Sequence, residues 1–291
     1  MLAEQLVYGA TLGGVYALAA VGFTLIFGVL RLLHVAHGDV MIFAGYIVLA
    51  LMTAVPGMPI PAVLLAGMLA AAAIGIVVER IGFWPYRKTN HIMPLIAGTG
   101  TVLLLQNLEM LIWGPQQQNF TLGWDPGSLV IGSLQISGLR LVILAVAILL
   151  MFGLDLFLFR TRPGLVIRAT AIDPEAAILM GANPQRVVLL TFATGSAVAG
   201  AGAVLIGGLY GAFYPSLGFA LGLKAFIASV AGGLGNLWGA LAGGLLLGLL
   251  EVMTVGYINV AYRDGVAMAV LLLVLILRPA GILGKTVEEK V

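Results

Sequence analysis

Hydrophobic residues are grouped along this chain in long runs, interrupted only by Gly, Thr, Ser or an isolated polar side chain. The runs cover residues 12–30, 40–55, 61–78, 139–159, 187–209 and 266–277. Most of them approach or exceed the ~20 residues that a helix needs to cross about 30 Å of hydrocarbon. The pattern therefore predicts an all-α integral membrane protein: a polytopic helical bundle of about eight or nine segments that forms one transmembrane domain over residues 1–291.

The composition agrees with this pattern. Hydrophobic residues make up 61% of the chain and charged residues 9%, whereas a soluble domain carries about 25% charged residues. The 40 glycines suit close packing between membrane helices. With no cysteine and three scattered histidines, the chain offers no thiolate ligand or nucleophile, and we predict no metal site. Glu4 stands where a signal peptide would carry basic residues, so we expect no cleavage.

The basic residues indicate the orientation, because Lys and Arg are enriched in cytoplasmic loops. They follow the apolar runs at 12–30, 61–78 and 139–159, whereas the loops at 56–60 and 113–138 carry none. The residues that define these predicted cytoplasmic loops are Arg31, Arg80, Arg87, Lys88, Arg160, Arg162, Arg168 and Arg186. The first run is therefore predicted to enter the membrane from outside.

The C-terminal third tests this orientation. Its basic tail should also lie inside, but one continuous helix over 222–250 would place that tail outside. The tail residues are Arg278, Lys285 and Lys290. A hairpin or re-entrant break at "GGLGNLWG", residues 232–239, restores the parity, and dense glycines suit non-helical backbone that is buried in protein. Three basic residues then remain at outer segment edges, where we expect them to snorkel: Arg140, Lys224 and Arg263.

The long polar loop at 160–186 contains the signals of a short helix. Asp173 is a good N-cap, Pro174 suits the first helical position, Glu175 complements the helix dipole, and Gly181 supplies a stop. A helix of about two turns is too short to be stable alone. It must therefore lie on the surface of its own protein or dock on a partner.

Its side chains favour docking. Ala176 and Ala177 offer a small face, and Leu179 and Met180 offer exposed apolar anchors. Two arginines flank the helix: Arg168 and Arg186. We therefore predict a docking element that faces the cytoplasm.

The pattern R-A-x-x-x-D-P-E-A-A-x-L-M-G-x-N at 168–183 resembles the coupling loop of permeases of the branched-chain amino acid ABC importer family, LivH type. Three more stretches resemble that family in the same order: "HVAHGDVMIFAGY" at 34–46, "GGLGNLWGALAGGLLLGLLE" at 232–251 and "RPAGILG" at 278–284. The resemblance spans nearly the whole chain. His34 replaces the Asn of the family pattern, and Trp238 stands where a smaller residue is expected.

The resemblance implies a non-catalytic permease subunit, without a cofactor, in the bacterial cytoplasmic membrane and with a cytoplasmic C-terminus. It would translocate branched-chain or other hydrophobic amino acids. The implied partners are a second permease of the LivM type or a second copy of this chain, two cytoplasmic ATPases and an extracytoplasmic binding protein. The implied ATPase-coupling residues are Arg168, Asp173, Pro174, Glu175, Ala176, Ala177, Leu179, Met180, Gly181 and Asn183.

Other functions stay open at this point. Relatives that carry urea or short amides keep similar motifs, and an ion-coupled secondary transporter would also use broken helices. A membrane scaffold without transport would use the glycine faces only for assembly. "GILGKT" at 281–286 lacks the first glycine of a phosphate loop, so we expect the energy source on another chain. We find no nucleophile triad and no basic aromatic surface for nucleic acid.

Three polar residues interrupt the apolar stretch "LLLQNLEMLIWG" at 103–114: Gln106, Asn107 and Glu109. Polar groups inside membrane helices are costly unless satisfied and are candidates for a translocation pathway. Glu109 is, however, only one turn from the outer interface that Trp113 marks, so snorkelling or helix pairing is the alternative.

The glycine-rich segment has two interpretations. Glycines spaced by four at 235, 239 and 243, and again at 244 and 248, allow close backbone contact, either for packing within the chain or beside the substrate route. The candidate pathway residues here are Ser229, Gly232, Gly233, Gly235, Asn236 and Gly239.

The segment at 31–39 is interpreted as the cytoplasmic turn between the first two helices. Asp39 would cap the second helix, Gly38 would relax the turn, and His34 and His37 would lie in interfacial water or pack against neighbouring helices. His37, Gly38 and Asp39 form the family signature. A proton relay or a ligand site would need partners at membrane depth.

Overall fold

The structure is a computed structural model that describes residues 2–86, 92–123, 126–131 and 134–284. Four residues of the predicted basic loops, Arg87, Lys88, Lys285 and Lys290, lie outside the described residues. The helices are α1 (Leu2–Leu30), α2 (His37–Ala54), α3 (Ile60–Val78), α4 (Ile92–Trp113), α5 (Gly138–Arg160), α6 (Arg162–Ile172), α7 (Pro174–Leu179), α8 (Pro184–Tyr210), α9 (Leu217–Gly232), α10 (Leu237–Tyr257) and α11 (Arg263–Leu277). A five-residue π-helical turn, Glu79–Phe83, extends α3.

Eight helices in the described residues are long and apolar enough to cross a membrane. They are α1, α2, α3 with its π-helical turn, α4, α5, α8, α10, and α11 with the short 3-10 turn before it. The apolar helix α9 has 16 residues and is too short to be counted with them. The prediction of an all-α polytopic membrane protein is therefore confirmed.

Helix α1 lies at the centre of the bundle. Its residues 11–26 are all buried, as expected for a helix that is hydrophobic on every side. Glycines of α10 bring that helix close to it: Gly248 lies against Gly13, and Gly244 lies against Ala17. A Cβ atom on either α10 glycine would overlap the α1 backbone. The glycine-rich segment has two interpretations, packing within the chain or a position beside the substrate route. Gly244 and Gly248 agree with packing within the chain.

The predicted break in the glycine-rich segment is present. Helix α9 ends at Gly232 and α10 begins at Leu237, and between them Gly233 and Gly235 have φ angles of 115° and 83°. Only glycine adopts such positive φ values without strain. Gly239 packs against Gly232, so the two helices form a hairpin that is antiparallel about the break.

Two small β-sheets mark one end of the bundle, which we call the strand end. Strand β1 (Gln118–Asn119), which follows α4, pairs antiparallel with β4 (Ala212–Phe213), which follows α8. Strand β2 (Ser128–Ile131) pairs antiparallel with β3 (Leu134–Ser137), immediately before α5. Because α8 runs from α7 to β4, the helix α7 lies at the opposite end, which we call the α7 end. The side of the membrane on which each end lies stays a prediction.

Candidate functional site

The first turn of α2 differs from the interpretation drawn from the sequence. The loop covers residues 31–36, and His37, Gly38 and Asp39 are helical instead of forming the turn. Asp39 does not cap α2, because the N-cap is Ala36 and its side chain makes no capping bond. The backbone of α9 packs closely against this first turn of α2, since a Cβ on Gly38 would overlap Gly218 and Gly222. The glycine at position 38 therefore allows this helix contact instead of relaxing a turn.

The two histidines of this region pack among aromatic rings. His34 and His37 are 1% and 0% exposed, so interfacial water does not solvate them. The His34 ring centre lies 5.0 Å from those of Phe83 and Phe192 and 5.5 Å from that of His37, and Phe23 lies 6.1 Å from His37. Packing against neighbouring helices was one of the two predicted alternatives, and the structure confirms it.

The first turn of α2 also lies deep in the bundle. The Nε2 atom of His37 lies against Gly22 of α1, while α1 continues to Leu30. At about 1.5 Å per residue, α2 therefore begins roughly 12 Å inside the α7 end of α1. Polar residues of this turn are thus placed at membrane depth.

Asp39 meets the polar residues of α4 there. The Nε2 atom of Gln106 donates a hydrogen bond of 2.8 Å to Oδ1 of Asp39. Glu109 follows one turn later on α4 and is 0% exposed, so it neither snorkels nor reaches the interface. It interacts electrostatically with Asp39 and with the hydroxyl of Tyr46, which lies two turns after Asp39 on α2. We call Asp39, Tyr46, Gln106 and Glu109 the polar strip.

The sequence analysis does not identify Tyr46 as a candidate site residue, because its pattern is that of an ordinary aromatic residue of the core. The signal that could have found it is its spacing of two helical turns from Asp39, which places both side chains on one face of α2. Its ring packs against Trp113 and Phe213, with ring centres 5.1 Å and 5.7 Å away. The polar strip therefore runs from the first turn of α2 toward the strand end.

Several oxygens of the polar strip have no hydrogen-bond partner within the described residues. They are Oδ2 of Asp39, Oε1 and Oε2 of Glu109, and the hydroxyl oxygen of Tyr46. The residues that carry them are all 0% exposed. Most buried polar groups in proteins are hydrogen-bonded, so each exception calls for an explanation.

The remaining polar residues of α4 show where the polar strip meets the surface. Gln106 is half-buried, and Asn107 is exposed with its Nδ2 donating to the carbonyl of Leu103 at 2.7 Å. Asn107 thus lies on the outer face of α4, away from Glu109. The polar strip approaches the molecular surface on the side of Gln106.

The candidate residues of the glycine-rich hairpin lie elsewhere. Ser229 donates to the carbonyls of Ala20 and Ala225 at 2.9 Å and 2.7 Å. Asn236 accepts from the first amides of α10 and donates to the carbonyl of Leu283 at 2.7 Å. The glycines of this group pack as follows: Gly232 against Gly239, Gly233 against Gly284, and Gly235 near Gly28. These contacts hold the hairpin in the bundle, and a pathway role for the group stays a prediction.

The predicted short helix is present as α7. Oδ1 of Asp173 accepts from the amide of Ala176 at 2.9 Å, Pro174 opens the helix, and Gly181 follows it with a φ of 94°. Glu175 is exposed. Leu179 and Met180 are also exposed, at 87% and 89%. The predicted small face is only partly available, because Ala177 is buried and Ala176 alone is exposed.

Besides Asp173, two more of the predicted coupling residues have structural partners inside the chain. Nε of Arg168 donates to the carbonyl of Leu158 at 2.9 Å, and its guanidinium lies 4.2 Å from the ring centre of Phe159. Oδ1 of Asn183 accepts from the first amides of α8 and caps that helix. Arg168 and Asn183 therefore position α6 and α8 on either side of α7.

A second group of charged residues surrounds Glu251, which is 0% exposed, toward the strand end. Nζ of Lys224 lies 2.8 Å from Oε1 of Glu251, and Nε of Arg263 donates to Oε2 of Glu251 at 2.8 Å. Lys224 also lies 3.1 Å from Oδ1 of Asp264, and the hydroxyl of Tyr16 donates to Oε2 of Glu251 at 2.9 Å. We call these residues, together with Tyr210, which hydrogen-bonds Arg263, the compensated cluster.

The compensated cluster corrects the prediction that Lys224 and Arg263 snorkel. Lys224 is only 8% exposed, because its ammonium group is paired with Glu251 inside the bundle. Sequence reasoning missed Glu251, although a single acid in the apolar run of α10 was the available signal. The third predicted snorkelling residue, Arg140, lies 3.9 Å from the ring centre of Tyr8.

These features define an integral membrane protein with ionisable groups at membrane depth, which is typical of transport proteins. A family model described as "Branched-chain amino acid transport system / permease component" matches residues 5–275. The chain belongs to this family of permeases.

Relatives cover nearly the whole chain. The protein named high-affinity branched-chain amino acid transport system permease protein BraD, from Pseudomonas aeruginosa, is 39% identical over 99% of this chain and 97% of its own length. The protein named LivH of the same kind of system, from Salmonella typhimurium, is 36% identical over 99% of this chain and 97% of its own length. The resemblance stated from the four motifs is thereby confirmed.

A solved structure shares the fold. The match is to PsaBC from Streptococcus pneumoniae in complex with a Fab, with a TM-score of 0.50 and 13% identity. It covers 95% of this chain and 91% of the matched chain. At this identity the likeness concerns the fold alone.

Proposed function

We propose that this chain is the permease subunit of an ATP-driven importer that translocates branched-chain amino acids delivered by a binding protein. The observation that carries the proposal is the chain-long identity to BraD and LivH, whose names state branched-chain amino acid transport. The chain performs no chemical step in this proposal, and partner chains hydrolyse ATP.

Helix α7 is the proposed point of contact with an ATPase. Its capping and its glycine stop fix the helix ends, and its exposed side chains include two large apolar residues, Leu179 and Met180. Exposed apolar side chains next to polar ones mark interaction surfaces. Closure of two ATPases on ATP would move α7, and α6 and α8 would pass that movement to the bundle.

The assembly in this proposal contains two permease chains, two ATPases and one binding protein. The second permease is a related chain of the LivM type or another copy of this chain. The α7 end faces the cytoplasm, together with the C-terminus, and the strand end faces the binding protein. The membrane is the bacterial cytoplasmic membrane.

The experiment is leucine uptake into proteoliposomes that contain the permease, its partner permease and the ATPases, with binding protein added outside. Leu179→Glu places a charge on the proposed ATPase contact, so we expect leucine uptake to fall by about tenfold or more. The matched control is Ile258→Glu at the strand end, where the wild-type side chain is 69% exposed. It should retain ATP-driven uptake if binding protein is saturating.

Three outcomes would contradict the proposal. Uptake by Leu179→Glu at the wild-type rate would remove α7 as the coupling element. Uptake without ATP, driven by an ion gradient, would indicate a secondary transporter. Uptake of urea or a short amide in preference to leucine would keep the importer but change its substrate.

A further inference from the structure

The composition of the polar strip favours binding of a cation. Two of its four side chains, Asp39 and Glu109, are carboxylic acids, and both are 0% exposed. The structure gives neither of them an ion pair among the described residues, in contrast to Glu251, which has two cationic partners. Buried charges are normally paired or coordinated, because an isolated one is very costly.

The unpartnered atoms are acceptors that belong to three different side chains. Oδ2 of Asp39, both carboxyl oxygens of Glu109 and the hydroxyl oxygen of Tyr46 are free of hydrogen bonds in the described part of the chain. Of the two donors in the polar strip, the amide of Gln106 already serves Asp39 at 2.8 Å, and the hydroxyl of Tyr46 is an acceptor as well as a donor. The open positions therefore suit a ligand group that donates several hydrogen bonds and carries positive charge.

A primary ammonium group meets both conditions. It carries one positive charge and three N–H donors, and it accepts no hydrogen bond. Open acceptors for these donors lie on Glu109 and Tyr46 and, nearer the start of α2, on Asp39. A carboxylate group would instead face two acids, with the hydroxyl of Tyr46 as its one open donor. An apolar group would leave the acceptors unsatisfied.

The position of the polar strip suits a ligand that moves through the helical bundle. It extends along α2 and α4 from Tyr46, which packs against Trp113 near the strand end, to Asp39 at the first turn of α2. Gln106 is half-buried, so the polar strip is close to the surface on the α4 side. Hydrogen bonds that are shared among several side chains allow a group to be handed from Glu109 to Asp39.

We propose that the polar strip is a binding subsite for the primary ammonium group of the transported amino acid. This inference rests on the proposed function, which supplies the substrate class. Glu109 and Tyr46 meet the ammonium group first when it enters from the strand end, and Asp39, held by Gln106, receives it deeper in the bundle. The carboxylate and the aliphatic side chain of the substrate remain outside these contacts.

The test uses the full transporter complex in nanodiscs, without ATP or binding protein, and 3-methylbutylammonium chloride as the probe. This cation keeps the ammonium group and aliphatic body of leucine and lacks its carboxylate. Binding is read as the upward shift of the thermal melting midpoint with probe concentration. We expect a saturable shift for the wild type. We also expect about a tenfold or greater rise in the half-saturating concentration for Glu109→Gln, because a charge-assisted contact is lost.

Two further variants keep the test independent of folding defects. Tyr46→Phe removes one acceptor and keeps the ring against Trp113, so a smaller rise of about threefold is expected. Asp155→Asn, on α5, removes a half-buried carboxylate outside the polar strip and should leave the half-saturating concentration unchanged. The melting midpoint without probe reports whether each variant is folded.

Three results would overturn the inference. The first is an unchanged half-saturating concentration in both Glu109→Gln and Tyr46→Phe. The second is an equal shift with sodium chloride, which would indicate an inorganic cation site. The third is an equal shift with sodium 4-methylpentanoate, which carries a carboxylate and no ammonium group. Leucine uptake by the wild-type complex is measured separately, so failure of the proposed function and failure of the ammonium subsite give different results.

Discussion

The compensated cluster and the polar strip each contain a buried glutamate, and the two glutamates differ in their partners. In the compensated cluster, Glu251 lies within 2.8 Å of a nitrogen of both Lys224 and Arg263. In the polar strip, Glu109 is equally buried and neither of its carboxyl oxygens has a partner in the described residues. Both groups lie between helices of one bundle, so the difference is in their partners and not in their depth alone.

The partners of the two glutamates distinguish a structural role from a ligand-binding role. A buried acid with two cations at hydrogen-bond distance joins α9, α10 and α11 through Lys224, Glu251 and Arg263. A buried acid without a cation contributes no such link, and it reduces stability when it is ionised. Glu109 is therefore expected to serve a ligand, whereas Glu251 is expected to serve the fold.

The largest expected effect comes from breaking the compensated cluster. Glu251→Gln leaves Lys224 and Arg263 without their shared counter-charge, and removing one partner from a buried ion pair costs about 3–5 kcal/mol. The expected result is a large fall in the thermal melting midpoint of the detergent-solubilised protein, with reduced yield from membranes. Thermal unfolding with a fluorescent reporter measures the midpoint.

The control for this variant is Asp264→Asn. Asp264 lies 3.1 Å from Lys224, but its side chain is 82% exposed. Exposed ion pairs contribute at most about 1 kcal/mol, so the midpoint should change little. Equal destabilisation by the two variants would show that burial does not distinguish these two partners of Lys224.

A packing change tests whether the polar strip depends on the position of α2. Gly38→Ala places a Cβ where the backbone of Gly218 and Gly222 lies, so the first turn of α2 must shift. Overpacking of this kind costs roughly 1–3 kcal/mol. We expect this loss together with weaker ammonium binding, since Asp39 moves with the turn. Both are measured with the melting assay in the presence and absence of 3-methylbutylammonium.

Gly153→Ala is the matched control in a helix. A Cβ at Gly153, inside α5, would meet nothing within 4 Å. Replacing a helical glycine by alanine without a clash stabilises a helix by up to about 1 kcal/mol. If Gly38→Ala behaved like Gly153→Ala, the close contact between α2 and α9 would not hold the polar strip.

The elements of this fold were largely predictable from local signals. The apolar runs gave the membrane helices, and the glycines at 232–239 gave the break that separates α9 from α10. Asp173 and Gly181 gave both ends of α7. These features depend on the preferences of neighbouring residues, which a single sequence carries directly.

The partners of the buried polar residues were much less predictable. Gln106 and Asp39 are separated by 67 positions, and Glu251 and Tyr16 by 235. No local pattern states which helices lie side by side, so the sequence alone predicts an interfacial position for Lys224 and a capping role for Asp39. Gln106 and Glu109 are recognisable in the sequence because polar residues in apolar helices are costly. The hydrogen bond from Gln106 to Asp39 depends on the packing of α2 on α4.

The smallest expected effect concerns the stability of the polar strip itself. Glu109→Gln removes a carboxylic acid that has no hydrogen-bond partner in the described residues and replaces it with a neutral side chain of the same size. The free energy of unfolding should change by less than about 1 kcal/mol or rise slightly, because no ion pair is lost. The measurement is the melting midpoint of the variant without a ligand, compared directly with that of Glu251→Gln. A loss as large as that of Glu251→Gln would mean that Glu109 has a structural partner, and the contrast between the two buried acids would then fail.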